Sequence, residues 1–196
     1  MRLRLRTFIA AAALVAGAGA LVTPATTASA APGTHSAFAA QSRQAGLTEA
    51  QSTALQRQVD ATIAESGGRQ VAANIVDLGH GLSIRLVVPG EKSVRDLATT
   101  HGPVTGLKSH VCPKGDFCAY TAVDYNGKEQ RMGPCGNHEL KGSGWSGAGS
   151  WYNNQTQPWM IATMYGKNGE YIYSDNGPGS HDTHGNWRRI WSITNC

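Results

Sequence analysis

The chain contains one pattern twice, as FCAYTAVDYNGKE at residues 117–129 and as ATMYGKNGEY at residues 162–171. In each copy an Asn-Gly pair lies between short apolar or aromatic runs, and a Trp-containing strand follows later, at 150–154 and at 191–195. Asn-Gly predicts a β-hairpin, because both residues tolerate the positive φ angles of a type I′ turn. Two such hairpins, each with a return strand and a repeat of about forty residues, predict two Greek keys that pack their inner faces together.

The first thirty residues predict a secretory signal peptide. Arg2, Arg4 and Arg6 form a basic start, an Ala-rich apolar run covers 8–22, and Ala28-Ser29-Ala30 is a small-x-small cleavage site. The apolar run is too short for a membrane anchor. We therefore expect a secreted, extracellular protein that starts at Ala31 and has no membrane attachment after cleavage.

The charge of the chain gives no indication of nucleic-acid binding. The full chain has 17 basic and 13 acidic residues, a net charge of +4. The predicted signal peptide carries three arginines and no acid, so the mature chain has 14 basic against the same 13 acidic residues, or +1. The basic isoelectric point of about 9.0 is therefore mostly a property of the signal segment.

All four cysteines follow residue 110, and in an exported chain they predict two disulfides. Three pairings are open. Cys112 and Cys118 flank a five-residue loop that can close tightly at Gly115, which favours Cys112–Cys118 and leaves Cys135–Cys196. A zinc site from four thiolates would need paired C-x₂-C spacing, which this chain does not have.

The mature chain divides by composition into four parts. Residues 31–46 are small and polar and predict a flexible segment. Residues 47–98 predict a helix–hairpin leader module, residues 99–110 have no hydrophobic period and predict a linker, and residues 111–196 form the β domain.

Within the leader module, Thr48-Glu49-Ala50-Gln51 is a capping-box pattern that begins a helix, and Gly67-Gly68 ends it. Two strands are predicted at 71–78 and 82–88, and a helical turn at 91–97. One helix and one hairpin are too small to be stable alone. The leader module must therefore dock on the β domain, be removed as a pro-region, or act as a weak adaptor.

The β domain is predicted to have four strands in each half. In the first half they are 116–121, 128–132, 137–140 and 150–154; in the second they are 159–164, 170–174, a poorly defined strand near 180, and 190–195. Four tryptophans are expected to anchor the core as large apolar side chains: Trp151, Trp159, Trp187 and Trp191.

The β domain resembles two groups of proteins. Tyr120 followed by Gly127 and a later Ser150 is similar to the Greek-key signature of the βγ-crystallins. The opening Cys112-Pro113-x-Gly115-x-x-Cys118-x-Tyr120, with the strand at Ser150-Trp151, resembles the secreted actinobacterial peptidase-inhibitor family of the Streptomyces metalloproteinase inhibitor type. The resemblance covers residues 112–196 and is closer in the first half. The leader module from Gly46-Leu47-Thr48 is similar to that of longer members.

This resemblance implies a mainly β fold: a βγ-crystallin-like double Greek key sandwich, here with a small N-terminal helix plus β-hairpin module. It also implies a peptidase inhibitor that binds an extracellular protease, with metalloproteases among the candidates. The characterised inhibitor carries its reactive bond in a disulfide loop of its second half. This chain has no cysteine between Cys135 and Cys196, so that reactive site is not carried over. The places of the crystallin calcium ligands hold Ser146-Gly147 and Trp187-Arg188, so neither calcium nor another cofactor is expected.

Other motifs favour binding over catalysis. Gly144-Trp145-Ser146-Gly147-Ala148 resembles a nucleophile elbow but lacks the final glycine and the strand–turn–helix context. His181 and His184 could offer imidazoles to a metal, but their Gly- and Asn-rich surroundings favour a solvated loop. The acids are dispersed, and no two of them are marked as an acid–base pair: Asp116, Asp124, Glu129, Glu139 and Glu170. We therefore predict no catalytic residue and no metal ligand.

The disulfide loop is the candidate inhibitory segment. A Cys112–Cys118 bond would restrain Pro113-Lys114-Gly115-Asp116-Phe117 and lower the entropy lost on binding, with Lys114 and Phe117 as candidate specificity side chains. The same bond could also be a structural staple. We expect a monomer with an extracellular protease as partner. The alternative is a secreted structural or antagonistic βγ-crystallin-like envelope protein with no protease target.

Overall fold

The structure is a computed structural model that describes residues 32–97 and 112–196. The predicted signal peptide and the predicted linker at 99–110 lie outside these residues. The described part is mainly β, with two antiparallel sheets and two α-helices. The elements are α1 Pro32–Gln44, α2 Glu49–Ser66, β1 Arg69–Ala72, β2 Ile75–Gly79, β3 Leu82–Arg85, β4 Phe117–Tyr120, β5 Glu129–Met132, β6 Asn137–Glu139, β7 Ala148–Asn153, β8 Ala162–Tyr165, β9 Tyr171–Ser174, β10 His181–Asn186, a 3₁₀ helix Trp187–Arg189, and β11 Ser192–Asn195.

The β domain consists of two stacked sets of strands, consistent with a β-sandwich. One sheet has the order β1-β2-β3-β5-β4-β7-β10, and the other has the order β6-β11-β8-β9. The first repeat contains β4 to β7 and the second contains β8 to β11. The third strand of each repeat pairs in the other repeat's sheet: β6 pairs with β11, and β10 pairs with β7. One apolar core joins the two sheets, and it contains Phe117, Ala119, Met132, Trp145, Trp151, Ala162, Met164, Trp187, Ile190 and Ile193.

Both predicted hairpins form, but the turns differ from the prediction. In the first hairpin the two residues with positive φ inside the turn are Asp124 and Tyr125, and Gly127 follows with φ 77°. The Ser150 hydroxyl braces this turn: it accepts from the Tyr125 amide at 2.8 Å and donates to the Ala122 carbonyl at 2.7 Å. A side chain at Gly127 would collide with the Thr121 hydroxyl. The second hairpin needs positive φ only at Gly169.

Three tryptophans, and not the four predicted, are in the core. Trp151 and Trp187 are buried as expected, and Trp145 joins them through an edge contact with Trp187 at 5.6 Å between ring centroids. Trp159 is 68% exposed and Trp191 is 47% exposed, so their prediction as core anchors is wrong. Trp159 lies in a connection outside the strands, and Trp191 immediately precedes β11.

The leader module contains more structure than its sequence predicts. α1 lies in the segment predicted to be flexible. The capping box of Thr48 and Gln51 and the end of α2 at Gly67 are confirmed. The predicted strand at 71–78 is two strands, because buried Asn74 turns the chain and donates to the carbonyls of Leu86 and Arg95. Residues 91–97 contain no helical turn; Lys92 instead accepts a hydrogen bond from the Gly127 amide.

The leader module docks on the β domain as additional strands of its sheet. β3 pairs with β5 through four residue pairs, from Leu82 opposite Met132 to Arg85 opposite Glu129. Arg85 is buried 3.9 Å from the Glu129 carboxylate, which also lies 3.2 Å from Arg131. Burial lowers the pKa of Arg85, and the Glu129 carboxylate opposes this shift. Of the three roles considered for the leader, docking is the one the structure displays.

Candidate functional site

Three loops meet at one end of the β domain, where β4 begins and β7 ends. We call this end, formed by residues 112–118, 154–161 and 175–180, the three-loop surface. Asn154 joins the first two loops: its carbonyl accepts from the Gly115 amide at 2.8 Å and its amide donates to Asp116 at 2.9 Å. Asn153 joins the third loop through backbone hydrogen bonds with Gly179 and Ser180. The three loops therefore form one continuous surface.

The first loop is closed by the predicted Cys112–Cys118 disulfide, with 5.7 Å between the Cα atoms. Gly115 has φ 100°, a conformation that favours glycine, and the Asp116 amide donates to the Pro113 carbonyl at 3.1 Å to close the turn. The Asn154 side chain adds a 2.6 Å hydrogen bond to the Cys112 carbonyl. The loop is thus restrained by a covalent bond and by its neighbour.

The side chains of this disulfide loop do not all face outward. Lys114 is exposed, whereas Pro113 and Asp116 are partly buried. Phe117 is fully buried and stacks on Trp151, with 5.8 Å between ring centroids. It begins β4 with its ring in the core, so it cannot enter a partner's pocket, and its prediction as a specificity side chain is wrong.

Asp116 is the titratable group of this loop with a perturbed pKa. Burial raises the pKa of Asp116 above its ordinary 3.8, while the Arg131 guanidinium acts in the opposite direction and Glu129 adds to the increase. A carboxylate with a raised pKa can mark a functional site, but it can equally reflect partial burial. Here it shows that this side of the loop packs against the domain.

The second loop is braced by buried polar side chains and not by a disulfide. The Asn153 side chain accepts from the Gln155 amide at 3.1 Å and donates to the Met160 carbonyl at 3.0 Å, so one buried residue holds both ends of the loop. Its amide nitrogen also donates to Asp175 at 2.8 Å. Asp175 accepts in turn from the amides of Ala162 and Gly177, which connects the third loop to the same network.

The second disulfide, Cys135–Cys196, supports the same end of the domain. Beside it, the Asn195 side chain donates to the Met132 carbonyl and accepts from the Gly136 amide, each at 3.0 Å. The Asn195 carbonyl accepts from the Gln155 side chain. The chain terminus, the disulfide and the second loop are therefore mechanically connected.

Sequence reasoning did not single out the second loop. The signal that could have found it is the Asn that closes each repeat, Asn153 in the first and Asn195 in the second. Both are fully buried, and both use their side chains to hold a neighbouring chain segment. A polar residue that ends a buried strand in both copies is typical of a loop brace, because buried amides need hydrogen-bond partners.

The remaining sequence candidates have structural roles in the described residues. Trp145 of the elbow-like motif is buried and donates to the Lys141 carbonyl at 2.9 Å. The His181 ring stacks on Tyr152, while His184 contacts the Thr183 hydroxyl. Trp187, at a crystallin calcium position, is buried and donates to the Tyr120 carbonyl at 2.7 Å.

The acids also have separate structural surroundings. Glu139 lies 2.5 Å from Lys141, and Glu170 accepts a hydrogen bond from the Asn168 amide within its hairpin. Glu129 lies beside Arg85 of the leader module, where β3 pairs with β5. Within residues 32–97 and 112–196, no group of three or more His, Cys, Asp or Glu side chains is placed to hold a metal ion. No helix of this described part is long and apolar enough to cross a membrane.

A comparison with protein families gives a match for this domain. Residues 108–173, a third of the chain, match the model of peptidase inhibitor family I36. The matched stretch contains the disulfide loop, the second loop and the strands β4 to β8. No match was found among curated proteins or among solved structures. The family predicted from the Cys112-to-Tyr120 opening is confirmed, and the chain carries a domain of peptidase inhibitor family I36 over residues 108–173.

Proposed function

We propose that this protein is a secreted inhibitor that binds an extracellular protease, with metalloproteases as the first class to test. The observation that carries the proposal is the family match over the part of the domain that contains two of the three braced loops. The family is described as one of inhibitors, which supports a role in binding and not in catalysis.

The rigidity of the three-loop surface supports inhibition physically. A loop that is already ordered loses little conformational entropy when it binds, and it keeps its shape in the complex. The Cys112–Cys118 bond restrains the first loop, and the Asn153 side chain holds both ends of the second. Pro113, Lys114, Gly115 and Asp116 remain candidate contact residues, with Lys114 as the exposed side chain among them.

We further propose that the domain is a βγ-crystallin-like double Greek key. The exchange of β6 and β10 between the two sheets supports this topology, as does the tie between Ser150 and the Tyr125 turn. Secretion is supported by the two disulfides, which persist in oxidising compartments, and by the signal-like first thirty residues. We propose a monomer as the working form.

An inhibition panel tests this function. The purified mature protein is titrated against thermolysin-like, subtilisin-like and papain-like proteases, and residual activity is measured on a fluorogenic peptide. We expect a nanomolar Ki for one protease class. We also expect that the protein alone, without added protease, does not hydrolyse any of the peptides. If none of these proteases is inhibited at micromolar concentration, the inhibitor function fails, and a structural or antagonistic role in the cell envelope becomes the better explanation.

A further inference from the structure

The second loop presents the most exposed tryptophan of the molecule. The chain has five tryptophans, all within the described residues; Trp159 is 68% exposed, and the next most exposed, Trp191, is 47% exposed. The backbone carbonyl of Trp159 accepts from the Ile161 amide at 2.9 Å, and the Met160 amide donates to Gln157 at 2.9 Å, so the tip is itself a hydrogen-bonded turn. A large apolar ring is therefore exposed to solvent on a hydrogen-bonded turn.

The polar network below this ring is buried and holds the chain on both sides of it. Asn153 is fully buried, while Gln155 and Asp175 are each 4% exposed. The Asn153 side chain holds the residues before and after the tip, through the Gln155 amide and the Met160 carbonyl. The network keeps its geometry because the buried side chains of Asn153 and Asp175 are hydrogen-bonded to each other and to the backbone of both loops. The fold thus stabilises a loop whose central side chain contributes little to the core.

The chemistry of the tip selects one kind of partner. Residues 155–161 read QTQPWMI and contain no charge. Ile161 is 42% exposed beside Trp159, and Pro158 is exposed before it. An uncharged apolar knob fits a hydrophobic pocket, and tryptophans seated in such pockets are the commonest energetic anchors of protein interfaces. Lys114 of the neighbouring loop is charged and would lie at the rim.

We propose that Trp159 is the anchor side chain of the inhibitor and enters the hydrophobic specificity pocket of the target protease. This inference rests on the proposed inhibitor function and specifies its partner: a protease that accepts large apolar side chains. The disulfide loop then contributes rim contacts, and the Asn153 brace keeps the anchor in its binding position.

The test compares matched tryptophan variants within the mature protein. Trp159→Ala and Trp159→Phe are compared with two other variants. Trp191→Ala is the matched control, because it removes another exposed ring at the end of β11 that lies away from the second loop. Lys114→Ala tests the rim. Ki values are determined for chymotrypsin, subtilisin and thermolysin, which prefer apolar side chains, and for trypsin, whose pocket carboxylate prefers a cation. Melting temperatures are recorded for each variant; the exposed position of Trp159 predicts an unchanged fold.

We expect inhibition of at least one protease with an apolar pocket and none of trypsin. Trp159→Ala should raise Ki at least tenfold, which corresponds to about 1.4 kcal/mol, whereas Trp159→Phe should stay within threefold of the parent. Trp191→Ala, outside the three-loop surface, should change Ki by less than threefold. Lys114→Ala removes a rim contact and should raise Ki by less than Trp159→Ala does.

Two results overturn the inference in distinguishable ways. Inhibition that is unchanged in Trp159→Ala and weakened in Trp191→Ala or Lys114→Ala leaves the inhibitor function in place and moves the anchor elsewhere. Absence of inhibition across the whole panel removes the proposed function, and the anchor with it.

Discussion

Removal of the disulfide Cys135–Cys196 should destabilise this protein more than removal of Cys112–Cys118. The two bonds join residues 61 and 6 positions apart in sequence. A cross-link restricts the unfolded chain more when it closes a longer loop. The chain-entropy relation gives about 4 kcal/mol for the longer loop and about 2 kcal/mol for the shorter one, a difference of about 2 kcal/mol.

The replacement residues must differ between the two sites, because their surroundings differ. Cys112 and Cys118 are buried, so alanine there would leave unfilled space and add a packing loss to the entropic effect. Valine keeps the apolar volume at these two positions. Cys135 and Cys196 are exposed, so alanine is suitable there. With these choices the comparison reports mainly the loss of each cross-link.

Thermal and urea unfolding of the two double variants measure the effect. For a mature chain of this size, Cys135→Ala with Cys196→Ala should lower the melting temperature by about 8–16 °C, and Cys112→Val with Cys118→Val by about 4–8 °C. If the second variant loses more free energy of unfolding than the first, the entropic ranking is refuted, and local restraint of the disulfide loop is the dominant contribution.

Four further outcomes are expected. Millimolar calcium should raise the melting temperature by no more than about a degree, since a bound ligand would stabilise the fold by linkage; a larger shift would show that carboxylates such as Asp175 or Asp182 form a site. Because the folded-state pKa of Asp116 is raised, its contribution to stability is present below the ordinary value of 3.8 and is lost as pH rises through the folded pKa; urea titrations between pH 3 and 7 should therefore show less loss of stability on raising pH in Asp116→Asn than in the parent, and parallel curves would contradict this. A chain that starts at Leu107 should melt lower than the mature chain and self-associate in size-exclusion chromatography, because it uncovers the edge of β5 that β3 occupies; equal stability of a monomeric short form would show that the leader module is dispensable. The intact mass of the secreted protein should correspond to a start at Ala31, and retention of residues 1–30 would contradict the signal peptide.

The strand–turn order of the β domain could be predicted from its sequence, because local chemistry determines it. Short apolar runs beside Asn-Gly pairs located both hairpins, and the positive φ angles of Gly127 and Gly169 explain why glycine stands there. The spacing of Cys112 and Cys118 around a closable loop predicted both disulfide pairs. These features depend on residues that are close in the chain, so one segment of sequence contains the information.

Burial and strand pairing across the chain could not be read in this way. Trp151 and Trp159 are the same residue type, eight positions apart, yet only Trp151 points into the core, because it lies on β7 and Trp159 lies on the loop that follows. The pairing of β3 with β5 joins segments on either side of a predicted linker, and no local pattern specifies such a partner.

By itself, therefore, the sequence determined the duplicated hairpins and the disulfide pairs, which follow from residue type and short-range spacing. The inhibitor family came from the resemblance of its opening motif, residues 112–120, to known members. Only the tertiary structure decided that Phe117 is buried and that Trp159 is exposed. It also decided that the Asn153 side chain holds both ends of the second loop. The physical reason is that exposure and bracing depend on which distant segments pack together. In this domain, the antiparallel pairing of β4, β7 and β10 brings three loops from separate parts of the chain to one end.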